Sequence, residues 1–322
     1  MRVALRAWSA IALVALCGVA HAQEWPTKPI RLVIPYAAGG AGDITFRTVA
    51  PAIEERLGQR FVIDNKAGAS GNIGAGEVAR STPDGYTLLL GATNNFVTNQ
   101  FLYKTMDFDP LKAFVPVTVM SNAPSVIIVN ASVPAGSLKE LAAYAKANPG
   151  KLNYGSPGNG TPAHLAAELF SHLAGVKMVH VPFKGSPPAV LALMANEVQV
   201  YFTPLTPIAG QLQSGKVRAI ALAAPARLAA LPDVPTTQEA GFPDLQTGNW
   251  WGLVAPAGTD KRILERLEKE VRTALAAPAV HKRYAELGMV VVGNSRDEAA
   301  AMMKNEAARW KKIIDTAGIR AD

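Results

Sequence analysis

Two glycine-rich stretches carry the residues best placed to do chemistry in this chain. Pro35-Tyr36-Ala37-Ala38-Gly39-Gly40-Ala41-Gly42-Asp43 follows the apolar run Ile30–Ile34 and precedes a helix predicted from about Ile44 to Leu57. Gly155-Ser156-Pro157-Gly158-Asn159-Gly160-Thr161 follows Leu152-Asn153-Tyr154 and precedes a helix predicted from about Pro162 to Ala174. A glycine-rich turn between a strand and a helix bares backbone N–H groups at the positive end of the helix, which is chemistry for holding an anion. A purely structural turn fits the same spacing. Nucleotides fit poorly. A P-loop needs lysine and Ser/Thr after its last glycine, where Asp43 stands, and the dinucleotide fingerprint needs glycine or alanine where Thr45 stands. An acidic residue at the mouth repels pyrophosphate but leaves room for a small carboxylate. Asp43 is expected to cap the helix beginning at Ile44, with an ion pair to a ligand amine as the alternative. Thr161 can cap its helix or touch a ligand, as can Ser156, and Pro162 suits a first helical turn.

Catalysis finds little to stand on. Gly68-Ala69-Ser70-Gly71-Asn72 misses the nucleophile elbow because its second glycine comes one residue too early. His164 and Glu168 share a helix face, but two groups do not make a metal site and there is no HExxH pattern. No catalytic residue, metal or cofactor is expected. His164 is either a ligand contact or a surface histidine. Lys184, after Val181-Pro182-Phe183, is either a loop cation or the charge partner of an acid. Of Trp250 and Trp251, one is expected inside and the other on a cleft wall, with Trp250 taken as the wall. Tyr36, beside the first loop, and Thr203, just past the strand Val198–Phe202, are counted with the ligand contacts.

Composition narrows the class. The chain has 322 residues, 49% of them apolar and 18% charged, enough for about two domains. Residues 1–22 read as a secretory signal: Arg2 and Arg6, an apolar run from Ala10 to Ala20, then Ala20-His21-Ala22 before Gln23. The run is short of the roughly 20 residues that span a bilayer. Cleavage near Ala22 would leave a periplasmic protein without cysteine, since Cys17 is the only one, and would lower the formal charge from +7 to +5. That modest bias is spread along the chain, unlike the clustered basic residues of nucleic-acid binders. No nucleic acid is expected, and the protein is expected to act as a monomer.

The elements needed to position the loops follow from periodicity. The order strand–helix–strand–helix–strand over Ile30–Ile34, Ile44–Leu57, Phe61–Asn65, the helix after Gly74 and Tyr86–Leu90 predicts a parallel sheet with helices on both faces. Phe114 to Val129 is long for one strand and is expected to break at Ser121-Asn122-Ala123-Pro124, where the chain would cross between domains. A second unit holds a helix over 138–146, strands over 152–154, 178–181, 198–202 and 217–223, and a helix over 188–195. A strand over 250–256 returns, and helices over 261–275 and 296–317 close the first domain. The expected division is 1–22 signal, 23–121 plus 250–322 domain I, and 122–249 domain II, with the ligand cleft between the two domains.

Taken together these stretches resemble the Bug-type (TctC-like) substrate-binding proteins of tripartite tricarboxylate transporters. The matching pieces are Ile34 through Asp43 with Arg47, Asn65 through Gly74, Pro83 through Leu89, Gly155-Ser156 with Gly160 through His164, Val181 through Gly185, Trp251 through Gly258, and Trp310 through Gly318. They span essentially all of the chain after residue 22. The resemblance implies an α/β, two-domain periplasmic-binding-protein (Venus flytrap) fold, each domain a central sheet flanked by helices. It implies capture of a small carboxylate, organic acid or amino acid, for a membrane permease with a large and a small integral subunit. It also implies that both glycine loops grip one carboxylate through main-chain amides, with Ala38, Gly39, Gly40, Gly42, Ser156, Gly160 and Thr161 at the site and Asp43 at its edge. Where the family often has a hydroxyl-and-histidine run after the third strand, this chain has Thr93-Asn94-Asn95-Phe96. Asn94 and Asn95 can both donate and accept, so the far end of the ligand need not be a second carboxylate, and Asn94 is counted with the ligand contacts. An exported hydrolase or lyase and a sensor subunit for a receptor kinase stay open as alternatives.

Overall fold

The computed structural model describes residues 25–320; the signal segment and its cleavage site lie outside them. In chain order the elements are β1 (Ile30–Ile34), α1 (Ala41–Leu57), β2 (Phe61–Asn65), α2 (Asn72–Ala79) and β3 (Thr87–Ala92). Short helices α3 (Thr93–Phe96), α4 (Asn99–Leu102) and α5 (Pro110–Ala113) lead into β4 (Phe114–Asn130). Then come α6 (Leu138–Ala147), β5 (Asn153–Ser156), α7 (Pro162–Ala174), β6 (Val179–Pro182), α8 (Ser186–Met194), β7 (Val200–Thr203), α9 (Ala209–Leu212) and β8 (Val217–Ala223). The chain closes with β9 (Gly248–Pro256), α10 (Lys261–Leu275), α11 (Pro278–Glu286), β10 (Val290–Val291) and α12 (Arg296–Ala317).

Two sheets share β4. In the first, β2, β1 and β3 run parallel, and β9 and then β4 add antiparallel, with β10 on β4. In the second, β6, β5 and β7 run parallel and β4 joins antiparallel, with β8 on its other side. The strand expected to break at 121–124 instead runs unbroken for 17 residues. Register shifts between Pro116 and Thr118 and between Val119 and Ser121 absorb its twist. Its partner changes at one point: Pro124 is the last residue paired to β9 and Ser125 the first paired to β8. We infer the domain boundary there, a few residues beyond the division expected from sequence.

Period-two alternation sends Ile30, Leu32 and Ile34 of β1 to one face and Val33 to the other. The first face packs Phe46, Val49 and Ile53 of α1 and Leu264 and Leu267 of α10; the second packs Val78 of α2 and Met303 and Trp310 of α12. In the second sheet Ile127 and Val129 meet Leu141 and Phe170, while Val126 and Ile128 meet Val190 and Leu193. Each sheet is thus covered on both faces. Helix α12, expected to close only the first domain, also reaches the second through Ile313, which packs against the apolar clusters of both. It is a well-specified helix, with a Ser295–Glu298 capping box and Gly318 in the left-handed region at its end. Helix α11 was not legible as a separate element. Among the described residues no helix is long and apolar enough to cross a membrane.

Candidate functional site

The two halves meet around a cavity of roughly 550 Å³, its mouth included. Three helices of 17, 13 and 9 residues begin at its wall: α1 with Gly40 and Ala41, α7 with Thr161 to Ala163, and α8 with Gly185 and Ser186. A helix start presents about half a positive charge and N–H groups without intrahelical partners. Proline thins the supply of amides. Pro162 stands first in α7, and Pro187 and Pro188 follow Ser186 in α8, so α1 is the richest amide source and α8 contributes mostly its dipole. None of the side chains lining the cavity carries a charge.

The strands supply the other walls. Tyr201 and Thr203 of β7 lie two residues apart and both face the cavity, with Ser125 of β4 and Asn249 and Trp251 of β9. The hydroxyls of Tyr201 and Thr203 and the indole N–H of Trp251 are buried and have no hydrogen-bond partner among the described residues. Buried polar atoms are nearly always paired, so three orphans facing one cavity mark a place built for a guest. Burial pushes the Tyr201 hydroxyl up from its ordinary pKa, partly opposed by the nearby Ser186 and Thr203 hydroxyls, so it stays a neutral donor.

The first loop reaches this cavity with Tyr36, Ala37, Gly40 and Ala41, while Ala38 and Gly39 sit exposed outside its lining. Helix α1 starts at Ala41, three residues before the expected start, with Gly40 as the residue before it. Asp43 therefore stands in the first turn rather than at the cap. Its Oδ2 accepts the Gly39 amide at 3.1 Å and Arg47 Nε at 2.8 Å. This occupies the Gly39 N–H that was expected to serve a ligand. Burial works against the charge on Asp43, and Arg47 and the Gly39 amide outweigh it, lowering the carboxyl pKa below the usual value. Gly42 is needed for a different reason, since a Cβ there would collide with the ring of Trp251, closest at Cζ3 and 2.6 Å from Cη2. Its lack of a side chain lets the start of α1 rest directly on that wall.

The second loop is built from within. The Ser156 hydroxyl, buried, accepts the Gly158 amide at 3.1 Å and lies 2.6 Å from His180 Nε2. Gly160 adopts φ of 75°, and its amide donates to His164 Nδ1 at 2.9 Å. His164 and His180 stack at 4.1 Å between ring centroids, with Tyr154 beyond His180 at 4.9 Å. Burial, helped by the neighbouring His180, lowers the His164 pKa to about 3, and burial lowers that of His180 to about 4. Both rings are neutral supports under the loop, outside the cavity lining, and neither is the ligand contact expected of His164. Of this loop Pro157 and Thr161 line the cavity, with the Thr161 hydroxyl donating to the Gly158 carbonyl at 2.7 Å.

Two further expectations are redirected by packing. Trp250 stacks on Phe96 at 5.7 Å and 7° within the core beside α12, whereas Trp251 faces the cavity with its ring edge-on to Tyr36 at 5.6 Å. The cleft wall is therefore Trp251. Asn94 is fully buried and absent from the lining. Its Oδ1 accepts the Tyr36 hydroxyl at 2.7 Å, and its Nδ2 donates to the Ser70 carbonyl at 2.8 Å, where Asn95 and Asn99 also donate. These three carboxamides hold Ala69 and Ser70 in the left-handed region, with φ of 45° and 49°. Ser70 in turn reaches across the cleft: its hydroxyl donates to the Asn159 carbonyl, as does the Tyr103 hydroxyl at 3.0 Å. Lys184 is exposed and lines the adjoining cleft between Ser70 and Asn159 rather than the inner cavity. Thr203 is buried and lines the cavity. Among the described residues no group of three or more His, Cys, Asp or Glu could hold a metal.

Comparison with known proteins agrees with this architecture. The family profile described as "Tripartite tricarboxylate transporter family receptor" matches residues 45–319. BugT of Bordetella pertussis is 32% identical over 96% of this chain and 95% of its own length. The structure described as R. palustris Rpa4515 with adipate is 36% identical and superposes with a TM-score of 0.89, covering 92% of this chain and 99% of that one. MatC from Rhodopseudomonas palustris, described with bound malate, is 32% identical with a TM-score of 0.86, covering 90% of this chain and 100% of that one. A two-domain α/β binding fold, an uncharged cavity between its halves and a match over most of the length agree: this chain belongs to the tripartite tricarboxylate transporter receptor family, whose members are solute-binding receptors and not enzymes.

Proposed function

We propose that the protein captures a small carboxylate outside the cytoplasm and delivers it to a membrane permease. The observation that carries this reading is the convergence of three helix starts and three unpartnered buried donors on one cavity without a charged wall. Such a site rewards an anion, and no charged side chain lines it. The relatives described with adipate and malate support the carboxylate class. Helix α1 comes from one half and α7 and α8 from the other. An anion touching all three binds the approached halves better than the separated ones and shifts the population toward closure. Closure would then shape the surface that a permease reads.

Native mass spectrometry of protein purified without added ligand, followed by isothermal titration with candidate acids, tests the reading. The expected result is a retained carboxylate of unchanged mass and saturable binding near micromolar Kd, about −8 kcal/mol. Steady turnover of any of these acids, or indifference to all of them, would refute it.

A further inference from the structure

We propose, building on the binding reading above, that Asn94 positions a contact by which the two halves close: it joins the cavity wall at Tyr36 to Ser70, whose hydroxyl reaches across the cleft.

The turn at Ser70 comes first. Ala69 and Ser70 stand between β2 and α2 with φ of 45° and 49°, a region that residues with a side chain seldom enter. Such strain persists only where the surroundings impose it, and it gathers at ligand clamps and switches. Here three carboxamides impose it. The Ser70 carbonyl accepts Nδ2 of Asn94 at 2.8 Å, of Asn95 at 3.0 Å and of Asn99 at 3.2 Å, more donors than its two lone pairs need. Gly71 makes room for them, since a Cβ there would collide with Asn95 Nδ2. The Ser70 hydroxyl is left to the cleft, where it donates to the Asn159 carbonyl of the other half. The opposite loop is shaped to receive it. A Cβ on Gly158 would lie 2.9 Å from Ser70 Oγ, and one on Gly160 would lie 3.0 Å from Leu102 Cδ1.

Asn94 is the carboxamide that links this turn to the wall. It is fully buried, and its Oδ1 accepts the Tyr36 hydroxyl at 2.7 Å. The ring of Tyr36 lines the cavity and packs edge-on to Trp251. Asn94 Nδ2 also donates to Asn99 Oδ1 at 3.2 Å, which steadies a second donor to Ser70. Asn95 is committed elsewhere: its Oδ1 accepts the Ala92 amide at 2.9 Å and meets the Tyr36 hydroxyl only at 3.4 Å. Bonds in such a buried chain reinforce one another. A guest that holds the Tyr36 ring thus holds Asn94 and the turn with it, and closure gains a bond that lies outside the cavity.

Hydrogen exchange over residues 157–164, read by mass spectrometry, and small-angle scattering test the proposal, both without ligand and in excess adipate or malate. Ser70→Ala removes the crossing hydroxyl and keeps the carbonyl, Tyr36→Phe removes the bond to Asn94 and keeps the ring, and Asn94→Leu removes both of its links. Each should speed exchange in the 158–161 loop by about tenfold and enlarge the radius of gyration. The melting temperatures of Ser70→Ala and Tyr36→Phe should stay near that of the wild type. Tyr36→Phe combined with Ser70→Ala should exceed Ser70→Ala alone by little, because the contact it acts through is already gone. Exchange and dimensions unchanged by Ser70→Ala in every condition overturn the crossing contact and the proposal. Fully additive effects of Tyr36→Phe and Ser70→Ala overturn the link through Asn94. Exchange and scattering report the motion of the halves themselves, so the carboxylate reading is judged separately, by whether either acid binds.

Discussion

Gly42→Ala isolates how closely the start of α1 must approach the Trp251 ring. The new Cβ would lie 2.6 and 2.8 Å from Cη2 and Cε3 of Trp251, about 1 Å inside the 3.5–4.0 Å at which carbon atoms rest. Trp251 is 3% exposed and packed on Tyr36, so the ring cannot swing into solvent. Either the ring or the helix start must move. Overpacking of this kind costs about 1–3 kcal/mol, and replacing glycine by alanine in a helix returns about 0.5–1 kcal/mol. The net loss is on the order of 1–2 kcal/mol, a drop of about 2–8 °C in melting temperature for a chain of this size. Affinity should suffer more, because the moved groups are the anion-facing helix start and an unpartnered donor; a loss of about tenfold or more is expected. Two neighbours serve as controls. A Cβ on Gly39 meets nothing within 4 Å, so Gly39→Ala bears only the strain of its left-handed φ of 76°, about 1–2 kcal/mol. A Cβ on Gly40 meets only the Ala37 carbonyl, at 3.1 Å. Differential scanning calorimetry and titration calorimetry of the three variants give the ranking. If Gly42→Ala matches the wild type in both, or if Gly39→Ala loses more affinity than Gly42→Ala, the contact assigned to Trp251 does not govern the site.

Three other outcomes follow from named contacts. His164 and His180 titrate at about 3 and 4 in the fold but near 6.5 when unfolded. The unfolded chain thus binds more protons between those values, and stability is full above about pH 6.5, falls by a few kcal/mol toward pH 4, keeps falling with His164 to about pH 3 and levels off below. Urea midpoints at pH 7.5, 5.5 and 4.5 measure this, and a flat series would contradict the neutral stack. Tyr103→Phe removes a donor to Asn159 across the cleft, so affinity should fall about two- to tenfold with the ligand-free melting temperature unchanged; equal affinity by calorimetry rules out a closing role. Glu270 is buried with Arg56 at 2.9 Å and Arg266 at 3.4 Å, both partly exposed and able to rehydrate. Glu270→Ala should then cost about 1–2 kcal/mol by denaturant titration, and no measurable loss would place this pair among the ornamental surface pairs.

Much of the fold was legible because strands and helices announce themselves by period. β1, β2, α7, β8, α10 and α12 lie within a residue or so of where alternation and capping put them. The site was legible by type of loop and not by residue. Asp43 reads as a cap, since aspartate before an apolar run usually is one, yet Gly40 takes the extended conformation at the helix start and leaves Asp43 inside. Alternation says that Trp250 and Trp251 face opposite ways. Which of them meets the cavity depends on which face of β9 α12 covers, and that is fixed some 50 residues away. Asn94 is claimed by Ser70, whose carbonyl is turned inward by a left-handed backbone that nothing in Ala69-Ser70 foretells. Tyr201 was missed although the signal was present: if Thr203 faces a ligand, the residue two before it on the same strand does too.

The cavity draws its positive field from topology rather than from side chains, and in the proposed function this would tie recognition to closure. In a parallel α/β sheet every strand ends where the next helix starts, so the strand ends collect helix N-termini on one edge. Here two such edges face each other, one contributing α1 and the other α7 and α8. A flexible lysine or arginine on one half would hold an anion with the halves apart, at a cost in side-chain entropy each time it was ordered. Rigid backbone dipoles carry no such cost and cannot follow the guest. One half alone offers about +0.5 and the other about +1, and only their approach brings the field to the value one carboxylate needs. An arginine placed at Ala37, which lines the cavity from α1's half, would break this dependence. Ala37→Arg should tighten carboxylate binding and make it less sensitive to Tyr103→Phe. If instead Tyr103→Phe weakens carboxylate binding to Ala37→Arg as much as it weakens binding of the same acid to the wild type, closure is not driven by the shared field.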